Sequence, residues 1–158
     1  MKNIKIIWVL SFLINSWFWL AVWLFLYLRL TDYAVIGLLE TIVFLVYLIA
    51  EIPSGALSDL LGKKKTLLLS FFLIALSNIL MAFAPSYLIL IISAAIGAIG
   101  FAFQSGTVDA LMYDSLKENR EEDTYSKVYS IYKIIYLGAF AFAGIVGVYL
   151  YTINPSLP

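Results

Sequence analysis

Gly55-Ala-Leu-Ser-Asp59-Leu-Leu-Gly62-Lys63-Lys64-Lys65 decides how this chain is read. It is the only strongly basic turn in the first 110 residues, and it joins two long apolar runs. A short cationic hairpin between membrane-length segments marks the cytoplasmic side of a polytopic membrane protein. Composition agrees: 63% of the residues are hydrophobic and 13% are charged. A soluble domain is nearer half apolar and a quarter charged.

Five apolar runs follow one another: 6–28, 34–57, 66–83, 86–112 and 127–151. A spanning helix needs about 20 apolar residues, so each run is long enough or nearly so to cross a bilayer. The first follows Lys2 and Lys5 but exceeds a signal-peptide core and lacks an Ala-x-Ala cleavage site, so it reads as a retained helix. Ala84-Pro85-Ser86 ends the third run, and Pro85 suits the first turn of the next helix. Lys117-Glu-Asn-Arg-Glu-Glu-Asp123 connects the fourth to the fifth. The expected fold is an all-α transmembrane, polytopic helix bundle without a separate soluble domain.

Basic residues fix the expected orientation. Lys2, Lys5, Lys63, Lys64, Lys65, Lys117, Arg120, Lys127 and Lys133 fall on one side of this threading, and Arg29 alone on the other. That places the N-terminus in the cytoplasm and the Pro158 end outside, in the cell membrane. Trp8, Tyr27, Tyr33, Tyr87, Tyr125 and Tyr151 lie near the expected helix ends, where interfacial aromatics belong.

The same composition removes whole classes of function. Without cysteine there are no disulfides or thiolate metal sites. Without histidine the usual zinc ligands, neutral-pH general bases and haem ligands are missing. No catalytic residue, metal site or cofactor is therefore expected, and the chain is read as a non-enzyme. A formal net charge of zero gives no support to a nucleic-acid partner.

The second run carries the clearest candidate pathway. Glu40, Phe44, Tyr47, Glu51, Gly55 and Ser58 form one helical stripe, with Glu40 and Glu51 about 20° apart after three turns. Leu38, Ile42, Leu45, Ile49 and Ile52 occupy the opposite face. The stripe is expected to point into protein or water. A carboxylate at membrane depth costs at least about 2.5–3.5 kcal/mol, so its retention indicates pairing or a role in transport. Glu40 and Glu51 are candidates for proton handling or cation recognition, against hydrogen bonding to a neighbouring helix or a position near an interface. Asn15, on a face with Ser11 in the first run, either lines a substrate cavity or hydrogen-bonds to another helix; Gln104 in the fourth joins Tyr47 as candidate lining. Pro53 removes one helical hydrogen bond, and Gly55 beside it permits close approach. Ser93, Gly97, Gly100 and Gln104 form a small-residue stripe, as do Ala139, Ala143 and Gly147; both read as packing seams. Tyr125, Tyr129, Tyr132 and Tyr136 line up beside Lys133, either as an interfacial anchor or as an aromatic lining.

The hairpin pattern Gly-x-x-x-Asp-x-x-Gly-Lys-Lys, prefaced by Glu51-Ile-Pro53-Ser-Gly55, resembles the loop signature of the major facilitator superfamily of transporters. Gln104-Ser-Gly106-Thr-Val-Asp109-Ala-Leu-Met-Tyr113-Asp114-Ser-Leu116, far from it in sequence, is similar to the drug-efflux-like branch. The resemblance implies twelve helices in two halves of six, with a substrate site between the halves. On that basis this chain holds five of the six helices of an N-terminal half. The missing C-terminal half would be its partner in the full-length protein, and the chain alone is expected not to transport. The resemblance implies ion-gradient-coupled efflux of a small-molecule substrate through the lipid bilayer, driven by proton or sodium. It also implies a conformational latch: Asp59, Lys63 and Asp114 as a charge cluster, with Gly55 and Gly62 for packing and the turn. Lysine at Lys63, where arginine is common, loses bidentate pairing. No arginine precedes Gln104 in its run, and the fifth run lacks a Gly-Pro element, so antiport is left open. The competing reading is a small polytopic membrane scaffold or assembly subunit without a transport cycle.

Overall fold

The computed structural model describes residues 2–158, without the side chains of residues 2–4 and 7. The side chain of Lys2, counted among the cytoplasmic cations, thus lies outside the described residues. Helix follows helix in the order α1 (Lys2–Ile14), α2 (Trp23–Leu28), α3 (Tyr33–Leu61), α4 (Lys63–Ala82), α5 (Tyr87–Glu118) and α6 (Tyr125–Ile153). A 3₁₀ turn, Glu122–Thr124, precedes α6. No strand occurs among the described residues. From α3 onward, every helix is long and apolar enough to cross a membrane.

The distribution of side chains says which solvent the helices are built for. Ile52 and Leu60 are 82% and 83% exposed, whereas Thr66 and Ser70 are fully buried. Small hydroxyl residues are buried beside apolar ones such as Leu39 and Leu116, while many large aliphatic residues stand outside, unlike the surface of a soluble protein. In hydrocarbon that arrangement is favourable, because lipid tails solvate Leu and Ile while small residues let helices approach.

The chain forms two compact units. One contains Leu24–Ala110. Within it, Asp32 caps α3 by accepting a bond from the Val35 amide at 2.9 Å. α3 stays a single helix through Pro53 and packs on α4. α4 meets α5 along the expected small-residue seam: Ser93, Gly97, Gly100 and Gln104 are all buried. Ser70 Oγ donates to the Gly100 carbonyl at 2.8 Å, and Ser77 lies beside Gly97.

The other unit holds the chain up to Trp23 together with Leu111–Pro158. Here α1 packs on α6, with Phe12 and Phe142 ring centroids 5.8 Å apart. Ala139, Ala143 and Gly147 are buried on α6, as a seam should be.

The first apolar run departs from expectation. The sequence predicts a continuous helix over 6–28; instead α1 stops at Ile14, residues 15–22 are non-helical, and α2 resumes at Trp23. The physical reason lies in three polar side chains. Asn15 Nδ2 donates to the Ser11 carbonyl, Ser16 Oγ to that of Phe12 and Trp17 Nε1 to that of Ile14, each at 2.7 Å. Ser16 Oγ and Trp17 Nε1 take acceptors that the backbone amides of Ser16 and Phe18 would fill in a continuing helix, while Asn15 Nδ2 joins its own amide on the Ser11 carbonyl.

Candidate functional site

The basic hairpin is tighter than a loop. α3 ends at Leu61 and α4 begins at Lys63, so Gly62 alone joins them. Its φ of 88° and ψ of 141° suit glycine, and its amide donates to the Ser58 carbonyl at 3.0 Å. This geometry puts Asp59 in the last turn of α3 and all three lysines in the first turn of α4. Both placements oppose the helix dipoles, which favour cations at C-termini and anions at N-termini. The charges therefore do not serve local helix stability. Asp59 is exposed. Lys63 is half-buried, and its ammonium donates to the Ala110 carbonyl of α5 at 3.4 Å. Asp114 is half-buried near the end of α5, within the other unit. Gly55 has open space where a Cβ would stand, so no close approach occurs there among the described residues.

The stripe on α3 divides differently from the two-faced helix that the sequence suggested. Ile36, Leu39, Ala50, Ser54 and Ser58 are its buried residues. Leu38, Leu45, Ile49 and Ile52 form an exposed apolar face. Glu40, Phe44, Glu51 and Gly55 lie between the two on an exposed flank, with Tyr47 half-buried beside them. Ser58, expected in that stripe, belongs to the buried face. Tyr47 Oη donates to Glu51 Oε1 at 3.5 Å, the outer limit of a hydrogen bond. Ser54 Oγ donates to the Glu51 carbonyl at 2.6 Å, within one turn of Pro53.

The remaining candidates occupy other surroundings. Gln104 is buried on the α5 seam rather than exposed like the carboxylates of α3. Asn15 is buried at the end of α1, where its amide caps Ser11. Ser11 Oγ and Trp8 Nε1 are buried without a hydrogen-bond partner among the described residues.

α6 carries an aromatic column whose extent the sequence only partly revealed. Tyr113 meets Tyr125 at 5.7 Å, and Tyr125, Tyr129 and Tyr132 stack at 5.7 and 6.0 Å. Tyr136 meets Phe140 at 4.7 Å, and Phe140 meets Trp17 at 5.0 Å. The Lys133 ammonium lies 5.2, 5.8 and 5.2 Å from the ring centroids of Tyr129, Tyr132 and Tyr136. The spacing of those tyrosines around Lys133, at minus four, minus one and plus three, was the signal. The continuation to Phe140 and Trp17 had none, because it depends on where the break after α1 lies.

No curated protein and no solved structure matches the chain. A family model described as Major Facilitator Superfamily matches residues 6–155, nearly the whole length. With long apolar helices, an inside-out distribution of hydroxyl side chains and a one-residue basic hairpin, the chain belongs to the Major Facilitator Superfamily, whose members are membrane transporters.

Proposed function

We propose that this protein works in ion-coupled efflux of a small molecule, and that the exposed flank of α3 lines part of its pathway. Glu40 and Glu51 carry the reading. They stand on a membrane-length helix, off its buried face and off its lipid-type face, where a carboxylate is costly unless it meets water, an ion or a partner. Tyr47 shares the flank, whereas Gln104 is buried on the α5 seam and Asn15 bonds within α1, so neither is assigned to it. Proton or sodium is the coupling ion that carboxylates of this kind serve. Asp59, Lys63 and Asp114, with the turn at Gly62, act as a latch at the inner rim, because two of these charges oppose their own helix dipoles. Gly55 leaves space for an incoming element to approach α3. The N-terminus is cytoplasmic and the protein resides in the cell membrane, following the bias of lysine and arginine.

The test is dye efflux from cells expressing the protein from its own gene, with ethidium as the probe. Energised cells should extrude it, and a protonophore or sodium removal should stop extrusion. Glu51→Gln should lower the rate at least tenfold at unchanged membrane abundance. Extrusion that ignores both ion gradients, or equals that of cells lacking the protein, would overturn the proposal and favour the scaffold reading.

A further inference from the structure

Between Ile6 and Leu28 the chain has neither glycine nor proline, yet α1 stops at Ile14. Breaks in long helices ordinarily sit at proline, at Gly/Ser pairs, at π-bulges or where a side chain enters the hydrogen-bond ladder. Here the last of these operates, and it does so completely. The Ser11 carbonyl accepts from the Asn15 amide at 3.1 Å and from Asn15 Nδ2. The Phe12 carbonyl takes Ser16 Oγ, the Leu13 carbonyl takes the Ser16 amide at 3.4 Å, and the Ile14 carbonyl takes Trp17 Nε1.

In an uninterrupted helix the amides of Asn15, Ser16, Trp17 and Phe18 would fill these same four carbonyls. The side chains of Ser16 and Trp17 thus stand in for backbone donors, and the four acceptors stay satisfied in either arrangement. Nothing in the residue types forbids rewinding, since Ser, Trp, Phe, Leu and Ala all enter helices. The unwound form has its own seat. The Phe18 carbonyl lies against Gly147 of α6, where a Cβ would collide with it. Phe142 flanks that seat, meeting Phe12 and Phe18. Irregular backbone at membrane depth is tolerated where protein covers it.

We propose that residues 15–22 are a two-state hinge in the first membrane crossing, exchanging between this unwound segment and a continuous helix. Ser16 and Trp17 hold the unwound state by taking acceptors that it frees, and Gly147 receives it. Rewinding re-aims the side chains of residues 18–22 relative to α1, as expected of an element whose population a ligand can bias. The inference stands apart from the efflux reading and needs no substrate.

Spin-label distances in the full chain, in lipid nanodiscs, test it. The protein contains no cysteine, so labels on Val9→Cys and Ala21→Cys, both at exposed positions, are unique. A continuous helix would hold them about 18 Å apart. The unsubstituted background should show two populations, one at that length. Ser16→Ala combined with Trp17→Phe should make the helical population the major one and slow amide exchange at 16–22. Ser16→Thr, which keeps the hydroxyl, should match the parent. Gly147→Ala, acting from α6, should shift the distances in the same direction, which keeps the test valid if the double variant fails to fold. A single distance unchanged by any of these substitutions would overturn the hinge.

Discussion

The hydroxyl of Ser70 on α4 donates to the carbonyl of Gly100 on α5 at 2.8 Å, with both residues buried. A Cβ at residue 100 would stand 3.1 Å from the Ser70 carbonyl oxygen and 3.2 Å from the Ile74 nitrogen. Neither backbone atom can rotate away. At Gly97 the tightest obstruction is Ser77 Oγ at 2.7 Å, which can, with Ser77 Cβ behind it at 3.3 Å. Gly100→Ala should therefore cost about 1–3 kcal/mol by overpacking, and Gly97→Ala distinctly less. Unfolding titrations of both variants in the same detergent check the order; equal costs would mean the seam is not set by backbone approach. Ser70→Ala should cost about 0.6 kcal/mol, the usual worth of such a bond between membrane helices.

Gly62 is held at φ 88° and ψ 141°, away from the left-handed helical well that asparagine tolerates. Gly62→Ala should lose about 1–3 kcal/mol, the usual cost of a residue forced into a sparsely populated backbone region. Gly62→Asn should give no rescue. Thermal unfolding of the two variants separates this geometry from an ordinary turn, in which asparagine would restore stability.

Much of this architecture was legible because the signals were long. The second to fifth apolar runs coincide with α3 to α6 to within a few residues at most ends, and the seam of Ser93, Gly97, Gly100 and Gln104 is buried as its spacing suggested. The break after Ile14 was not legible. The acceptors that it frees are taken by the side chains of Ser16 and Trp17, and a run without glycine or proline gives no mark of it. The surroundings of the α3 stripe do not follow from its spacing. Periodicity gives angles between residues, whereas burial depends on which neighbours arrive, and those place Ser54 and Ser58 inside and Glu51 outside.

Arg120 adopts a φ of 56°, the one non-glycine residue in the left-handed region among those described. It stands just past the end of α5, where the Glu121 amide returns to the Leu116 carbonyl at 2.9 Å. Glycine is the usual occupant of such a helix stop. Arg120→Gly should raise stability by up to about 1 kcal/mol, since left-handed backbone costs an L-residue about 1–2 kcal/mol and glycine returns part of this as unfolded-state entropy. Arg120→Val should lower it. A melting temperature that falls for the glycine variant would show that the arginine side chain contributes more than the backbone loses.

Asp59 and the lysines of the hairpin separate a latch from a simple topology signal. As an anion in the last turn of α3, Asp59 opposes the helix dipole by about 0.3–1 kcal/mol. If nothing else used its charge, Asp59→Asn would stabilise the protein slightly and leave activity alone. A latch residue differs in the second readout alone: thermal stability is again equal or higher and membrane abundance normal, but the kinetics of conformational exchange change. Replacing Lys63, Lys64 and Lys65 together by glutamine should instead change orientation. A cysteine at position 64 in the otherwise cysteine-free chain would react with an impermeant maleimide only after permeabilisation of the cell. Labelling of that cysteine in intact cells would place the hairpin outside. The inner-rim latch would then fail, because the hairpin would face the wrong compartment.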